Sequence, residues 1–393
     1  MQETEQDGRA VIDAVRDLVP RLRANGQEAE DRRWLPDENI KLLEEAGVFR
    51  APVPRKFGGL DLGVADQVAI VREVARGCGS TGWTVNAWMS STGIIAAYPD
   101  RAQEEVFEGG SARVSGGFTP TGSLTPTEGG YLLNGSWRFN TGIRGADWNI
   151  AAAMVELPGH DEPEEFYAVV PAAEFTVADD WHTSSAAGTG SSTSTAKNVF
   201  VPAHRVVDGV AVLEGTTGDR WNMGLHGRDY GLIPYVMAPS LGVYIGLAHQ
   251  ALELFVERAP GRGIAYTGWT EQSEHPHVQI QVGTAANKIA AAEGLLDRIT
   301  TLMQDRADRA VTVTTEEKAA IRGQVGYGIQ LAKEAVEILY TLSGASVIQK
   351  SVALQRVYRD TVGLALHGLM APVTNLEVHG RVLLGLEPDT FFL

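Results

Sequence analysis

Residues Gly130 to Trp148, GYLLNGSWRFNTGIRGADW, decide how this chain is built. Tyr131-Leu132-Leu133 and Trp137-Arg138-Phe139 read as strands, and Asn134-Gly135 lies between them. Asn-Gly favours a type I′ turn because both central residues need positive φ, so the stretch predicts two strands about a hairpin turn. On its N-terminal side the period is helical. Val11, Ile12, Val15, Leu18, Val19 and Leu22 recur at steps of a helix face. Asp37 opens a second helix with Ile40, Leu43 and Ala46 on one face, and Gly47 ends it. A third helix is expected from Val64 to Ala75, and Trp83 to Ala97 is apolar enough for a buried helix stopped by Pro99.

The strand period starts near Arg113 and continues through Trp148 to Val155, Phe166 to Val170, Phe175 to Ala178 and Thr195 to Val201. After a polar connection at Glu214 to Arg220 the chain is helical again. Thr314 with Glu317 forms a capping box, and Ile321, Val325, Ile329, Ala332, Val336 and Leu339 follow at steps of three and four. Such a stripe suits packing between helices of a bundle or an oligomer. The expected class is mainly α with a central β-domain: helices over 1–112, a β-domain over 113–213 and a helical bundle over 214–393.

At 393 residues, 44% hydrophobic and 21% charged, the composition is that of a globular protein with a substantial core. A net charge of −16 argues against nucleic acid or an anionic membrane as partner, since nothing offsets phosphate repulsion. Cys78 is the sole cysteine, which excludes an intrachain disulfide and a multi-cysteine metal site. His275-Pro276-His277 lacks a third ligand at suitable spacing and reads as a solvated loop, so no metal is expected. Gly188-Thr189-Gly190 has no third glycine and leads toward a strand, which is not a dinucleotide fingerprint. The first residues have no secretory pattern, and no run approaches the roughly 20 apolar residues of a membrane helix, so the cytoplasm is the expected location.

Several runs together resemble one family. GVFRAPVPRKFGGLDL (Gly47 to Leu62), the Gly130 to Trp148 stretch, and LQRVYRDTVGLALHG (Leu354 to Gly368) are similar to conserved runs of the acyl-CoA dehydrogenase superfamily, in the same order. Asp179 to Val206, with its GTGS at Gly188 to Ser191, resembles the branch of two-component flavin-dependent monooxygenases, which includes the hydroxyphenylacetate hydroxylase oxygenases and dibenzothiophene monooxygenase. The third run keeps Arg359-Asp360 but has His367 and Gly368 where a dehydrogenase "IYEGT" motif has Tyr and Glu. Glycine cannot take the acyl α-proton that the carboxylate removes, so the chemistry must differ.

The resemblance implies the acyl-CoA dehydrogenase fold: N-terminal helices, a β-barrel-like middle and a C-terminal four-helix bundle, assembled as a homotetramer. It implies reduced flavin, FMNH2 or FADH2, delivered by diffusion from a separate NAD(P)H:flavin reductase, and O2 as co-substrate. A C4a-hydroperoxyflavin then oxygenates an aromatic, heteroaromatic or polyketide-like small molecule. Thr119, Gly122 and Ser123, in GGFTPTGS, resemble a shortened flavin-binding loop, and Asn140 and Thr141 stand where relatives approach flavin N5 with a hydroxyl. His367 is placed near the flavin in the C-terminal helix. Trp83, Trp88 and Ser91 are expected to line the substrate pocket, with core packing the alternative for the tryptophans. Ser91 replaces a histidine common in relatives, and Ala186-Ala187 replaces Leu-Arg before GTGS, which points away from small phenolic acids. Three rival readings remain: an acyl-CoA dehydrogenase with a base relocated to Glu253, Glu257 or Glu377, an amino-sugar N-oxygenase, and a non-catalytic helical scaffold.

Overall fold

The computed structural model describes residues 2–157, 159, 162–223 and 227–393. The front of the chain folds as α1 (Gln2–Ala24), α2 (Gly26–Arg32), α3 (Asp37–Glu45), α4 (Val64–Gly77), α5 (Gly79–Ile94) and α6 (Asp100–Val106). The stripe on α1 buries Val11, Val15, Val19 and Leu22, and Gly47 after α3 takes φ +82°, which only glycine adopts without steric cost. The buried helix expected from Trp83 starts four residues earlier, with Cys78 buried at its N-cap. Both α2 and α6 have seven residues, too few to register as a helical period in the sequence.

Among the described residues seven strands form one sheet: β1 (Val114–Thr127), β2 (Gly130–Trp137), β3 (Trp148–Val155), β4 (Glu164–Pro171), β5 (Thr176–Val177), β6 (Ser194–Pro202) and β7 (Val206–Asp208). Their order is β5-β6-β2-β1-β3-β4-β7, parallel only between β1 and β3. Alternation along β3 sends Ala151 and Ala153 to an inner core with Leu133, Trp137 and Val201, about which the sheet curls. Ile150 and Ala152 face the other way, onto Tyr98, Val106 and Phe107.

The expected Asn134-Gly135 turn is not there. The chain runs straight through both residues as part of β2, and the hairpin turns instead at Glu128-Gly129, where Gly129 has φ +79° and Thr127 faces Gly130. Asn134 Oδ1 accepts from the Asn198 amide at 2.8 Å, and a bulge against β6 falls between Leu133 and Gly135. A Cβ on Gly135 would stand 2.6 Å from Gly122 Cα and 2.7 Å from the Trp137 ring. Glycine is needed here for close approach around the indole.

The back of the chain forms α7 (Gly209–Glu214), α8 (Leu232–Arg258), α9 (Pro276–Asp308), α10 (Thr315–Leu342), α11 (Ala353–Leu364) and α12 (Pro372–Leu383). Thr314 and Glu317 make the expected capping box, and all six residues of the α10 stripe are buried. That helix packs against α8, α9 and α12 in the C-terminal bundle. Contrary to expectation, α8 is long and apolar enough to cross a membrane, but 78% of its most apolar window is buried in this protein. A helix apolar on all sides is what a core requires. One core joins Val15, Val68 and Val71 to Leu241, Ile245 and Ile329, so the front and back helices pack together around α8.

Two local expectations change. His275-Pro276-His277 opens α9 instead of forming a loop, with His275 Nδ1 accepting from the His277 amide at 3.1 Å. Among the described residues no group of three or more His, Cys, Asp or Glu side chains could hold a metal. His367 lies outside a helix: α11 ends at Leu364, and His367 caps a short 3₁₀ turn, Gly368–Met370.

Candidate active site

Beyond β2 the chain makes a tight turn at Asn140-Thr141-Gly142, held from three sides. Asn140 is fully buried; its amide nitrogen side chain donates to Asn149 Oδ1 and Ser194 Oγ, both at 2.8 Å, which ties the turn to β3 and β6. Gly142 has φ +77°, and its carbonyl accepts from Trp88 Nε1 at 3.1 Å; a Cβ there would lie 2.5 Å from that nitrogen. The position therefore admits glycine alone without displacing the indole. Phe139, just before the turn, is exposed with φ +61°, an uncommon conformation for a bulky residue.

Thr141 is thus fixed half-buried, and its hydroxyl begins a chain. Thr141 Oγ1 lies 2.8 Å from Ser191 Oγ, Ser191 Oγ lies 2.7 Å from Thr189 Oγ1, and Thr189 donates to the Ala186 carbonyl at 2.8 Å. The Ala186 amide donates to Asp360 Oδ1 at 2.6 Å. Asp360 is buried on α11, and burial pushes its carboxyl up to about 6 against the pull of the Ala186 amide, Arg356 and Arg359. Arg359 donates to the Ser184 carbonyl and, at 2.8 Å, to Glu30 on α2. The Arg-Asp pair of the sequence is therefore a clamp holding the loop that carries Thr189 and Ser191.

The buried helix α5 is the spine that joins these parts. Its Ser80 lies against Gly188, Trp83 meets His367, Trp88 supports Gly142, and Ser91 lies beside Gly116 of β1. His367 is open to solvent on one side and set edge-on to Trp83 at 5.5 Å, while the protein around it desolvates the imidazole and lowers its pKa. An imidazole so placed is neutral at neutral pH and can donate from one nitrogen and accept at the other. Tyr244 packs on the far edge of Trp83 at 6.4 Å, and its buried hydroxyl has no partner.

The remaining sequence candidates separate. Trp83 stands at the site, whereas Trp88 is fully buried against Phe49 and Trp34 and buttresses the turn from the core, not from a pocket wall. Ser91 is buried, facing β1. GGFTPTGS is not a loop: it is the middle of β1, bulged against β3 between Gly117 and Gly122. Thr119 and Ser123 are exposed there, but Gly122 lies beneath the Trp137 ring, where a Cβ would come within 2.4 Å. Ser191, Thr189 and Asp360 join the site although their sequence motifs assign them no role; the run of hydroxyls after Gly188 is the sign of it in the sequence. Two open grooves lie on α9 and α10, one lined by Ile280, Gly283, Lys288 and Leu331, and neither is lined by Thr141, Trp83 or His367.

Residues 5–110 match the family model described as acyl-CoA dehydrogenase, N-terminal domain, and residues 240–372 match acyl-CoA dehydrogenase, C-terminal domain. The oxygenase subunit HsaA of a flavin-dependent monooxygenase from Mycobacterium tuberculosis is 29% identical over 98% of both chains. The oxygenase component of p-hydroxyphenylacetate 3-hydroxylase from Acinetobacter baumannii is 26% identical over 99% of this chain and 92% of its own. XiaF from a Streptomyces species, solved with FADH2 and glycerol, superposes with a TM-score of 0.93 at 31% identity, covering 99% of this chain and 98% of the other.

Proposed function

This chain belongs to the acyl-CoA dehydrogenase family, in its branch of flavin-dependent monooxygenases, and from that premise we propose that it is the oxygenase component of a two-component system. A separate NAD(P)H:flavin reductase supplies the reduced flavin, and the substrate is an aromatic or heteroaromatic small molecule. One observation carries the reading against a dehydrogenase. None of the three candidate carboxylates stands free to act as base, and Gly368 has no side chain: Glu253 is gripped by Arg23 and Arg76, Glu257 pairs with Arg23, and Glu377 pairs with Arg381. The arginines hold the Glu253 carboxyl below its ordinary range despite burial, the wrong direction for a general base.

The residues present fit a flavin. Its ring system wants apolar walls and a few polar groups at one edge. Trp83 offers the wall, Thr141 a fixed hydroxyl, Thr119 and Ser123 exposed hydroxyls along the β1 bulge, and Asn140 Oδ1 is buried without a partner. When bound, reduced flavin gives two electrons to O2, one atom of which enters the substrate while the other leaves as water. Thr141 would meet the N5 edge of the bound ring, and the turn of Asn140 and Gly142 keeps its hydroxyl in place. His367, held by Trp83, hydrogen-bonds the substrate or the oxygen to be transferred and moves a proton there. The apolar α5 keeps water from the inner side. Four copies form the working assembly.

The test is anaerobic titration with FMNH2 and FADH2, then admission of O2 with an aromatic substrate panel. Tight binding of reduced flavin and substrate-dependent oxygenated product are expected. Flavin that remains bound when oxidised and is bleached by an acyl-CoA would replace the proposal with a dehydrogenase; no flavin binding in either state would leave a scaffold.

A further inference from the structure

The hydroxyl chain behind Thr141 has a direction, and the direction follows from its inner end. Thr189 Oγ1 lies 2.8 Å from the Ala186 carbonyl oxygen. Two oxygens at that separation need a hydrogen between them, and a carbonyl has none, so the Thr189 proton lies toward Ala186. Thr189 is fully buried, so no solvent competes for that proton. Ser191 Oγ, at 2.7 Å, must then donate to Thr189, which has already used its one proton. Thr141 Oγ1, at 2.8 Å, must likewise donate to Ser191. The outermost hydroxyl is left with lone pairs only.

We infer that this chain makes Thr141 a hydrogen-bond acceptor toward flavin N5 and so selects the reduced flavin over the oxidised one. The inference rests on the reading above that Thr141 meets N5. Reduced flavin carries a hydrogen on N5 and donates it to Thr141; oxidised flavin has a lone pair on N5 and meets a second lone pair. A hydroxyl free to rotate would serve both states alike, as donor to one and acceptor to the other. Polarity fixed from within removes that choice. An oxygenase that collects reduced flavin and must release the spent oxidised form gains from this asymmetry, which needs no conformational change. Ser191 and Thr189 are thereby positioning residues: they touch no flavin and act by committing the Thr141 proton.

Dissociation constants of oxidised and, under anaerobic conditions, reduced FMN and FAD test this in wild type, Thr141→Val, Ser191→Ala and Thr189→Val. Ser191→Ala frees the Thr141 proton to turn outward, and Thr189→Val lets Ser191 donate back to Thr141; in both, oxidised flavin should bind more tightly. The oxidised-to-reduced ratio should fall about tenfold, equivalent to ~1.4 kcal/mol. Thr189→Ser restores the inner donor and should keep the wild-type ratio. Near-ultraviolet circular dichroism identifies any variant whose packing has changed, and the isosteric Thr189→Val carries the test if Ser191→Ala is one of them. A ratio unchanged in Ser191→Ala and Thr189→Val but altered in Thr141→Val would overturn the polarity while leaving Thr141 at N5. Both constants unchanged in Thr141→Val would remove Thr141 from N5, and the inference with it.

Discussion

His367 and Asp360 lie seven positions apart in one sequence run, yet they do opposite things. His367 faces outward beside Trp83, and loss of a positioned donor or acceptor costs roughly 10²- to 10⁴-fold in the step it assists. His367→Ala should still consume O2 with reductase present, but yield hydrogen peroxide in place of product. Product formed per NAD(P)H consumed is the measurement, and an unchanged value would reduce the imidazole to packing. Asp360 faces inward and holds the Ala186 amide. Its native carboxyl is raised from 3.8 to about 6, so the folded state holds that proton more tightly than the unfolded chain. The resulting stability is fully present below pH 3.8 and is lost as pH rises through about 6. Asp360→Asn keeps an oxygen for the Ala186 amide and removes the ionisation, so its unfolding free energy relative to wild type should rise between pH 4 and 7, by up to about 3 kcal/mol, read by denaturant unfolding across that range. A gap between the two proteins that is constant with pH would show that Asp360 does not titrate differently on folding. The sequence displayed both residues through the Arg-Asp register, but which one faces the site depends on α11 ending at Leu364, and Ala365, Leu366 and His367 just beyond that end include no glycine or proline to announce it.

Long elements were legible because their periods are local. The stripes of α1 and α10, the capping box and the whole of β3 follow from residues a few positions apart. Asn134-Gly135 misleads for the same reason: its turn preference is local, while its place in β2 is set by neighbours far along the chain, Asn198 and Gly122. The two hairpin readings predict different glycine sensitivities. If Gly135 is inside a strand against Gly122, Gly135→Ala drives a Cβ into backbone at 2.6 Å and should cost about 1–3 kcal/mol as overpacking. Gly129→Ala meets only Phe200 at 4.0 Å and pays for its positive φ alone, about 1 kcal/mol. Denaturant unfolding of both variants ranks them, and a loss of only about 1 kcal/mol at Gly135 with none at Gly129 would return the turn to Asn134-Gly135. The hydroxyl chain shows the same limit: Thr141 and Ser191 are 50 residues apart, and only the pairing of the turn with the Gly188 loop brings them to 2.8 Å.

The whole molecule leaves large apolar side chains exposed on α9 and on α12 and the tail. Ile280 on α9 is 64% exposed beside the grooves of α9 and α10, while on α12 and the tail Val373 is 81%, Leu384 78% and Phe391 93% exposed. Large exposed apolar areas mark interaction surfaces, and these residues belong to α9 and to α12 with its tail, two helices that both pack on α10. A patch that meets its own copy about a two-fold axis closes a dimer, and two such patches on different flanks generate a four-subunit assembly with dihedral symmetry. The α10 stripe that suggested a bundle or an oligomer is used up within the chain, so it is the outer faces that remain to make the contacts. Light scattering should therefore give four times the 42.2 kDa of one chain. Ile280→Glu and Leu384→Glu introduce a charge at exposed positions, which leaves the fold of one copy undisturbed but places like charges opposite each other across a two-fold contact. Each variant alone should halve the assembly, and the two together should give single chains with unchanged circular dichroism. A wild-type mass of one chain, or a tetramer indifferent to both substitutions, would mean that these faces are covered by something other than a second copy.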